Sequence, residues 1–290
     1  MASPWLTTWQ FVPLASVPLA LCAALYLAGA RAVARAHPAR PWPRGRGAAF
    51  LAGLAVIAVA VCGSPGGYDD VLLRAHMVQH LLLIMVAPPL LVYGRPVTLL
   101  LHATRNPWHS RAVRVVRSTT VAALTWPPGC VLLYSAVVLG THLSPLIRAT
   151  GWPHDAEHLA YLAAGYLFFL PVVGSEPTRW RPSLFARYLL LLAAMPADIA
   201  TGAVLMLVRA FGGYTAADVH TAGLIMLSGS EAIMTALAAA LAVGLVRQKA
   251  DRGAVPDLAE YNASLAALES GLAWQARGPG RSPHTAQGSG

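Results

Sequence analysis

DDVLLRAHMVQHLLLIMVAPPLLVYGRP, residues Asp69–Pro96, decides how the rest of the chain is read. His76 and His80 stand four residues apart, and on a helix that spacing stacks two imidazoles on one face about one turn apart. The stretch then stays apolar long enough to cross a bilayer, which takes about 20 residues of helix. It breaks at Pro88-Pro89 and leaves through Gly94-Arg95-Pro96. The segment reads as a membrane helix with two candidate metal ligands at one end.

The whole chain agrees with that reading. Of its 290 residues 56% are hydrophobic and only 11% charged, too little polar surface to coat a soluble globule, and the mean hydropathy is +0.55. The formal charge of +9 would point to nucleic acid in a soluble protein, but here the arginines cluster between apolar stretches, so their meaning is topological. No nucleic-acid partner is expected. The three cysteines, Cys22, Cys62 and Cys130, form no CxxC, which excludes a cysteine-only zinc site. MASPWLTTWQF has no basic leader, so no cleaved signal peptide is expected.

Seven apolar segments follow one another: Phe11–Ala30, Ala48–Cys62, Val71–Tyr93, Val121–Thr141, His154–Val173, Phe185–Ala210 and Val219–Val246. The expected fold is an all-α membrane protein, a bundle of seven transmembrane helices occupying residues 1–250, with residues 251–290 a partly disordered cytoplasmic tail. Within the tail, Asp257–Trp274 has the pattern of a short amphipathic helix. Arginine crowds the first, third and fifth connections and the start of the tail, while Gly63–Asp70 has none and Arg148 and Arg209 stand alone. That alternation places the N-terminus outside and the C-terminus in the cytoplasm.

Mapped onto this topology, His37, His102, His109 and His284 are cytoplasmic and read as solvated. The other six lie outside: His76, His80, His142, His154, His158 and His220. Two HxxxH pairs and two single histidines at one depth point to a shared metal site. Imidazole suits copper and zinc, and Met77 or Cys62 would add a soft ligand favouring Cu(I). Both also have ordinary packing roles. Asp69, Asp155 and Glu157 ring the same end, either as helix-start residues or as acceptors that orient imidazole N–H groups. Asp198 and Glu231 lie deeper, where an ionisable group is costly unless paired. They mark either a functional path or a structural hydrogen bond between the last two helices, assisted by Thr201, Ser228 or Ser230.

A rival reading uses the same residues. His154-Asp155-Ala156-Glu157-His158 fits H-x-x-E-H, in which the histidines bind zinc and the glutamate is general base. That would make the protein an integral-membrane metallohydrolase.

HMVQHLLLIMVAPPLLVYGRP, then the second HxxxH leading into AGYLFFLPVVGSEP, then DVHTAGLIMLSGSE, resembles the polytopic CtaG family of bacterial cytochrome c oxidase assembly factors, over approximately Ala48–Val246. The resemblance implies a multi-pass protein of the bacterial plasma membrane and a chaperone-like, non-enzymatic role in assembling a haem-copper oxidase. It implies copper handling on the outer side, with His76, His80, His154, His158 and His220 as the metal positions and an oxidase subunit, and an extracytoplasmic copper donor, as partners. Copper import, with Asp198 and Glu231 marking a path inward, is a further alternative.

Overall fold

The computed structural model describes residues 8–142, 151–208 and 213–276, with side chains described up to residue 246. Arg148, Arg209 and His284 lie outside the described residues. The described elements are helical. In chain order they are α1 (Pro13–Ala36), α2 (Arg44–Cys62), α3 (Ser64–Tyr68), α4 (Leu73–Leu81), a π-helical turn (Leu82–Val86), α5 (Ala87–Tyr93), α6 (Pro96–Ala103), α7 (Trp108–Val116), α8 (Thr119–Leu124), α9 (Pro127–His142), α10 (Trp152–Val173), α11 (Leu184–Leu207) and α12 (Ala216–Ala276). Asp257–Trp274 is helical backbone within α12. The chain divides at Leu241–Ala242 into two compact units, the first of which holds every site described below.

Among the described residues six stretches are long and apolar enough to cross a membrane: Pro13–Ala36, Arg44–Tyr68, Leu73–Ala103, Trp152–Val173, Leu184–Leu207 and Ala216–Val246. They make this a multi-pass membrane protein. The expected span Val121–Thr141 is not among them. Pro127 and Pro128 have no N–H to continue a helix from α8, so the chain turns at Thr125-Trp126 and restarts. The resulting α9 has 16 residues, a length of about 24 Å against a hydrocarbon core of about 30 Å. It packs between α10 and α11 and buries Tyr134, Val138 and His142.

The most buried span, Leu73–Ala103, lies at the centre of the bundle, while α1 and α12 are peripheral. Its middle is shaped by prolines. An α-helical Ile84 carbonyl would accept from residue 88 and a π-helical one from residue 89, and both are proline. The helix widens into the π turn, with Ala87 N–H donating back to the Leu82 carbonyl, which separates the proline rings from the carbonyls they would strike. The Ile84 carbonyl then meets α10 at Gly165, where an added Cβ would stand 2.4 Å from that oxygen and 2.8 Å from Pro88 Cγ. Only a Cα–H fits there, a weak donor suited to a carbonyl without an N–H partner. Gly202 and Gly223 bring α11 and α12 together in the same way: a Cβ on Gly223 would stand 3.0 Å from the Gly202 carbonyl.

At the other end of the bundle Glu176, just beyond α10, fastens α6. Its carboxylate accepts from Val97 N–H (2.9 Å), Thr98 N–H (3.0 Å) and the Thr98 hydroxyl (2.7 Å), donors that the first turn of α6 leaves without partners inside the helix. Burial pushes this carboxyl above the usual range, against those bonds and Arg95. Arg95, immediately before α6, holds a left-handed backbone (φ 55°). Glu176→Ala leaves three part-buried donors without this acceptor, a loss below the roughly 1–3 kcal/mol that each fully buried orphan would cost because water can reach them. The expected result is a lower melting temperature in detergent.

Candidate metal centre

The histidines meet where the start of α4, the end of α9 and the start of α10 come together. Asp218, in the first turn of α12, fixes the start of α4: its Oδ2 accepts from Leu73 N–H at 2.7 Å, and Oδ1 lies 3.5 Å from Arg74 Nε. A carboxylate at a helix N-terminus is favourable for both. One turn further on, His76 and His80 lie with ring centroids 4.0 Å apart and planes tilted by 58°, and on α10 His154 and His158 meet edge to face at 4.2 Å. The two pairs face each other. His76 lies 5.3 Å from His154 and His80 lies 6.1 Å from His158, ring centre to ring centre.

The donors fall into two groups of three. One is His76, His80 and Glu157, all buried; the other is Asp69, His154 and His158, with both histidines half-buried. Within each group one ligand atom from every residue lies within 4.8 Å of the others. Two donors on one tetrahedral ion are about 3.3 Å apart. His80 Nε2 is 3.8 Å from Glu157 Oε1, and His154 Nε2 is 3.7 Å from Asp69 Oδ2. Small side-chain rotations would close either group around an ion.

The tautomers follow from the hydrogen bonds. His142 Nδ1 is 2.8 Å from the Val138 carbonyl, which can only accept, so Nδ1 carries the proton. His142 Nε2 is then an acceptor, and it takes His80 Nδ1–H at 3.3 Å. That leaves the lone pair of His80 on Nε2, the atom facing Glu157. The Thr141 hydroxyl donates to the Val137 carbonyl (2.8 Å) and so accepts from Tyr161, whose oxygen in turn stands 2.8 Å from His142 Nδ1. On the other side, Gln79 donates to the Ala60 carbonyl (3.2 Å), which turns its Oε1 towards His158 Nε2 at 2.9 Å. His158 therefore donates from Nε2 and keeps the lone pair on Nδ1. Polar partners of this kind orient imidazoles for metal binding.

The buried group is chemically incomplete. His76 Nε2, His80 Nε2 and both Glu157 oxygens are buried without a hydrogen-bond partner. Buried lone pairs are rarely left bare, and three residues whose ligand atoms lie within 4.8 Å of one another fit a cation. At the rim, burial pushes the Asp69 carboxyl above the usual carboxylate range, against the pull of His154.

The remaining expected residues lie elsewhere. His220 and Asp155 are exposed and belong to neither group. Met77 is fully buried in the hydrophobic core, and Cys62 lies 3.5 Å from the Ser16 hydroxyl, outside both groups. Asp198 is fully buried and accepts from Tyr134 of α9 (3.1 and 3.2 Å). The expected hydroxyl bridge to α12 is absent from the described bonds: Thr201, Ser228 and Ser230 each donate to the carbonyl one turn back in their own helix, as hydroxyls in apolar helices do. Glu231 is half-buried, with Oε1 unpartnered. Gln79, Thr141 and Tyr161 were missed at the sequence level. Gln79 stands inside the quoted HMVQH, and its side of the helix was the available signal.

The sequence profile of the Caa3_CtaG family, described as cytochrome c oxidase caa3 assembly factor, matches residues 24–248. Uncharacterized proteins of Mycobacterium bovis and Mycobacterium tuberculosis are each 29% identical over 297 residues, covering 91% of this chain and 45% of their own. One of Mycobacterium leprae is 29% identical over 210 residues, 69% of this chain and 32% of its own. The chain thus spans less than half the length of these relatives. No solved structure matches it. With its six apolar helices this is a multi-pass protein of the bacterial membrane, and the chain belongs to the family of cytochrome c oxidase caa3 assembly factors.

Proposed function

We propose that this protein binds copper as cargo at the histidine end of the bundle and passes it to a haem-copper oxidase subunit during assembly. The observation that carries this is the set of four buried, unpartnered donor atoms on His76, His80 and Glu157. Two neutral imidazoles and one carboxylate suit copper or zinc. Their summed charge of −1 makes a buried monovalent ion neutral, whereas a divalent ion would leave a net charge in a medium that penalises it. Charge balance therefore favours Cu(I).

The arginine alternation supports placing the histidine end outside, the N-terminus outside and the C-terminus in the cytoplasm, with α8 and α9 together as the seventh crossing. An extracytoplasmic donor would then supply the metal. This reading needs no turnover. In the hydrolase alternative Glu157 would serve the ion held by His154 and His158, whereas its carboxylate groups with His76 and His80.

The test combines copper content of the purified protein with assembly of the oxidase in cells. His76→Ala with His158→Ala is expected to lose both, and His109→Ala, whose imidazole is engaged with the Leu101 carbonyl, neither. Normal oxidase assembly by a copper-free double variant would sink the proposal. Glu157→Gln with normal metal and no function would instead favour the hydrolase.

A further inference from the structure

We propose that the two donor groups are successive stations for one cargo ion: Asp69, His154 and His158 receive it, and His76, His80 and Glu157 hold it for delivery. This rests on the copper-handling reading above. The groups share no residue, and each supplies three protein donors. A tetrahedral ion in either would keep its fourth position open to an incoming ligand, which is what hand-over by ligand exchange requires.

The two donor sets are chemically the same, two imidazoles and one carboxylate. A cation moving between them meets no change in donor type or formal charge. The path is short. His76 and His154 lie nearly parallel (21°) with centroids 5.3 Å apart, less than the roughly 8–10 Å between packed helix axes. α10 serves both stations, with Glu157 directed to one and its chain neighbour His158 to the other. Side-chain rotation is then enough to move the ion, and no helix needs to shift.

Order and direction come from burial and from hydrogen bonding without the ion. His154 and His158 are half-buried, whereas His76, His80 and Glu157 are 3%, 0% and 7% exposed, so an arriving ion meets the two rim histidines first, Asp69 at 7% being as buried as Glu157. Without an ion the rim group has partners of its own: Asp70 N–H donates to Asp69 Oδ1 at 2.9 Å, and His158 donates to Gln79. In the inner group, His76 Nε2, His80 Nε2 and both Glu157 oxygens have none. Moving the ion inward satisfies the inner donors while the rim keeps its internal bonds, which makes the inward position the favourable one.

The test is anaerobic titration of the full chain in detergent with Cu(I) against a chromogenic Cu(I) chelator, read as equivalents bound and rate of uptake. Wild type is expected to bind two equivalents. Asp69→Asn with His154→Ala should lose one and fill the other slowly, and His80→Ala with Glu157→Gln should lose one and fill the other at the wild-type rate. Asp69→Asn and Glu157→Gln alone, which keep side-chain volume, report the same split as weakened rather than lost equivalents if a double variant fails to fold. One equivalent in wild type, weakened alike by changes at either group, would mean a single shared centre and overturn the relay while leaving copper handling intact. No bound copper in wild type would overturn the copper-handling reading itself.

Discussion

Gly165→Ala is expected to remove most of the protein from the membrane fraction, although the change adds one methyl group. That methyl would stand 2.4 Å from the Ile84 carbonyl oxygen and 2.8 Å from Pro88 Cγ. Neither neighbour is a flexible side-chain end. One is backbone in the π turn and the other a proline ring, so α10 must move away from the centre of the bundle. Overpacking a well-packed core costs about 1–3 kcal/mol and sometimes more, and here the loss of the close backbone contact is added. Because α10 also carries Glu157, His154 and His158, the surviving fraction should bind copper more weakly. Gly140→Ala is the matched control. It lies in α9, and nothing stands within 4 Å of its added Cβ. Alanine there should be neutral or stabilising by about 0.4–1 kcal/mol through the unfolded chain. Equal membrane levels for the two variants would show that the α10 contact is looser than described.

His142→Ala is expected to weaken Cu(I) binding by about 10–100-fold, the usual effect of losing a residue that orients a ligand. Its Nε2 is occupied in accepting the His80 proton, so it acts through His80 by holding that ring's lone pair on Nε2. His142→Gln should recover much of the affinity, since a glutamine oxygen reaches close to the position of the imidazole Nε2. A purely structural role for His142 predicts a different pattern: affinity would follow melting temperature in both variants. The orienting role predicts that Ala and Gln differ in affinity at equal melting temperature.

The sequence carried the depth of each polar residue well and its direction poorly. Counting along a span from its polar edge sets the level of a residue in the bundle, and the HxxxH pairs of α4 and α10 stand beside each other, with His76 and His154 5.3 Å apart. Direction depends on how each helix is turned, and hydropathy does not record that in helices surrounded by lipid on one side and protein on the other. His220 shows the consequence: it stands near the start of α12, yet it is exposed and belongs to neither donor group. Glu157, expected to support the site or act as a base, stands among the candidate ligands because i and i+1 on a helix point about 100° apart. His158 is thereby directed to one group and Glu157 to the other. Asp198 was recognised as costly at membrane depth, but its partner Tyr134 lies on another helix and follows no spacing rule. The expected Val121–Thr141 span is divided into α8 and α9 for a local reason visible in the sequence, the Pro127-Pro128 restart.

The π turn at Leu82–Val86 sets the angular phase of the helix that carries His76 and His80. It holds one residue more per turn than an α-helix, so everything before it is rotated relative to everything after it by about 100°. The face on which His76 and His80 lie is therefore out of step with the face that α5 presents to Gly53 and Phe50. Deleting a single residue between 82 and 86 would let the helix run as continuous α with its two halves in their present phase, whereas winding all five residues as α would swing both imidazoles by about 100° away from α10. In comparisons among relatives, a one-residue gap in this segment thus leaves the histidine pair in place, whereas the same gap elsewhere in α4 or α5 resets the frame in which the pair is read.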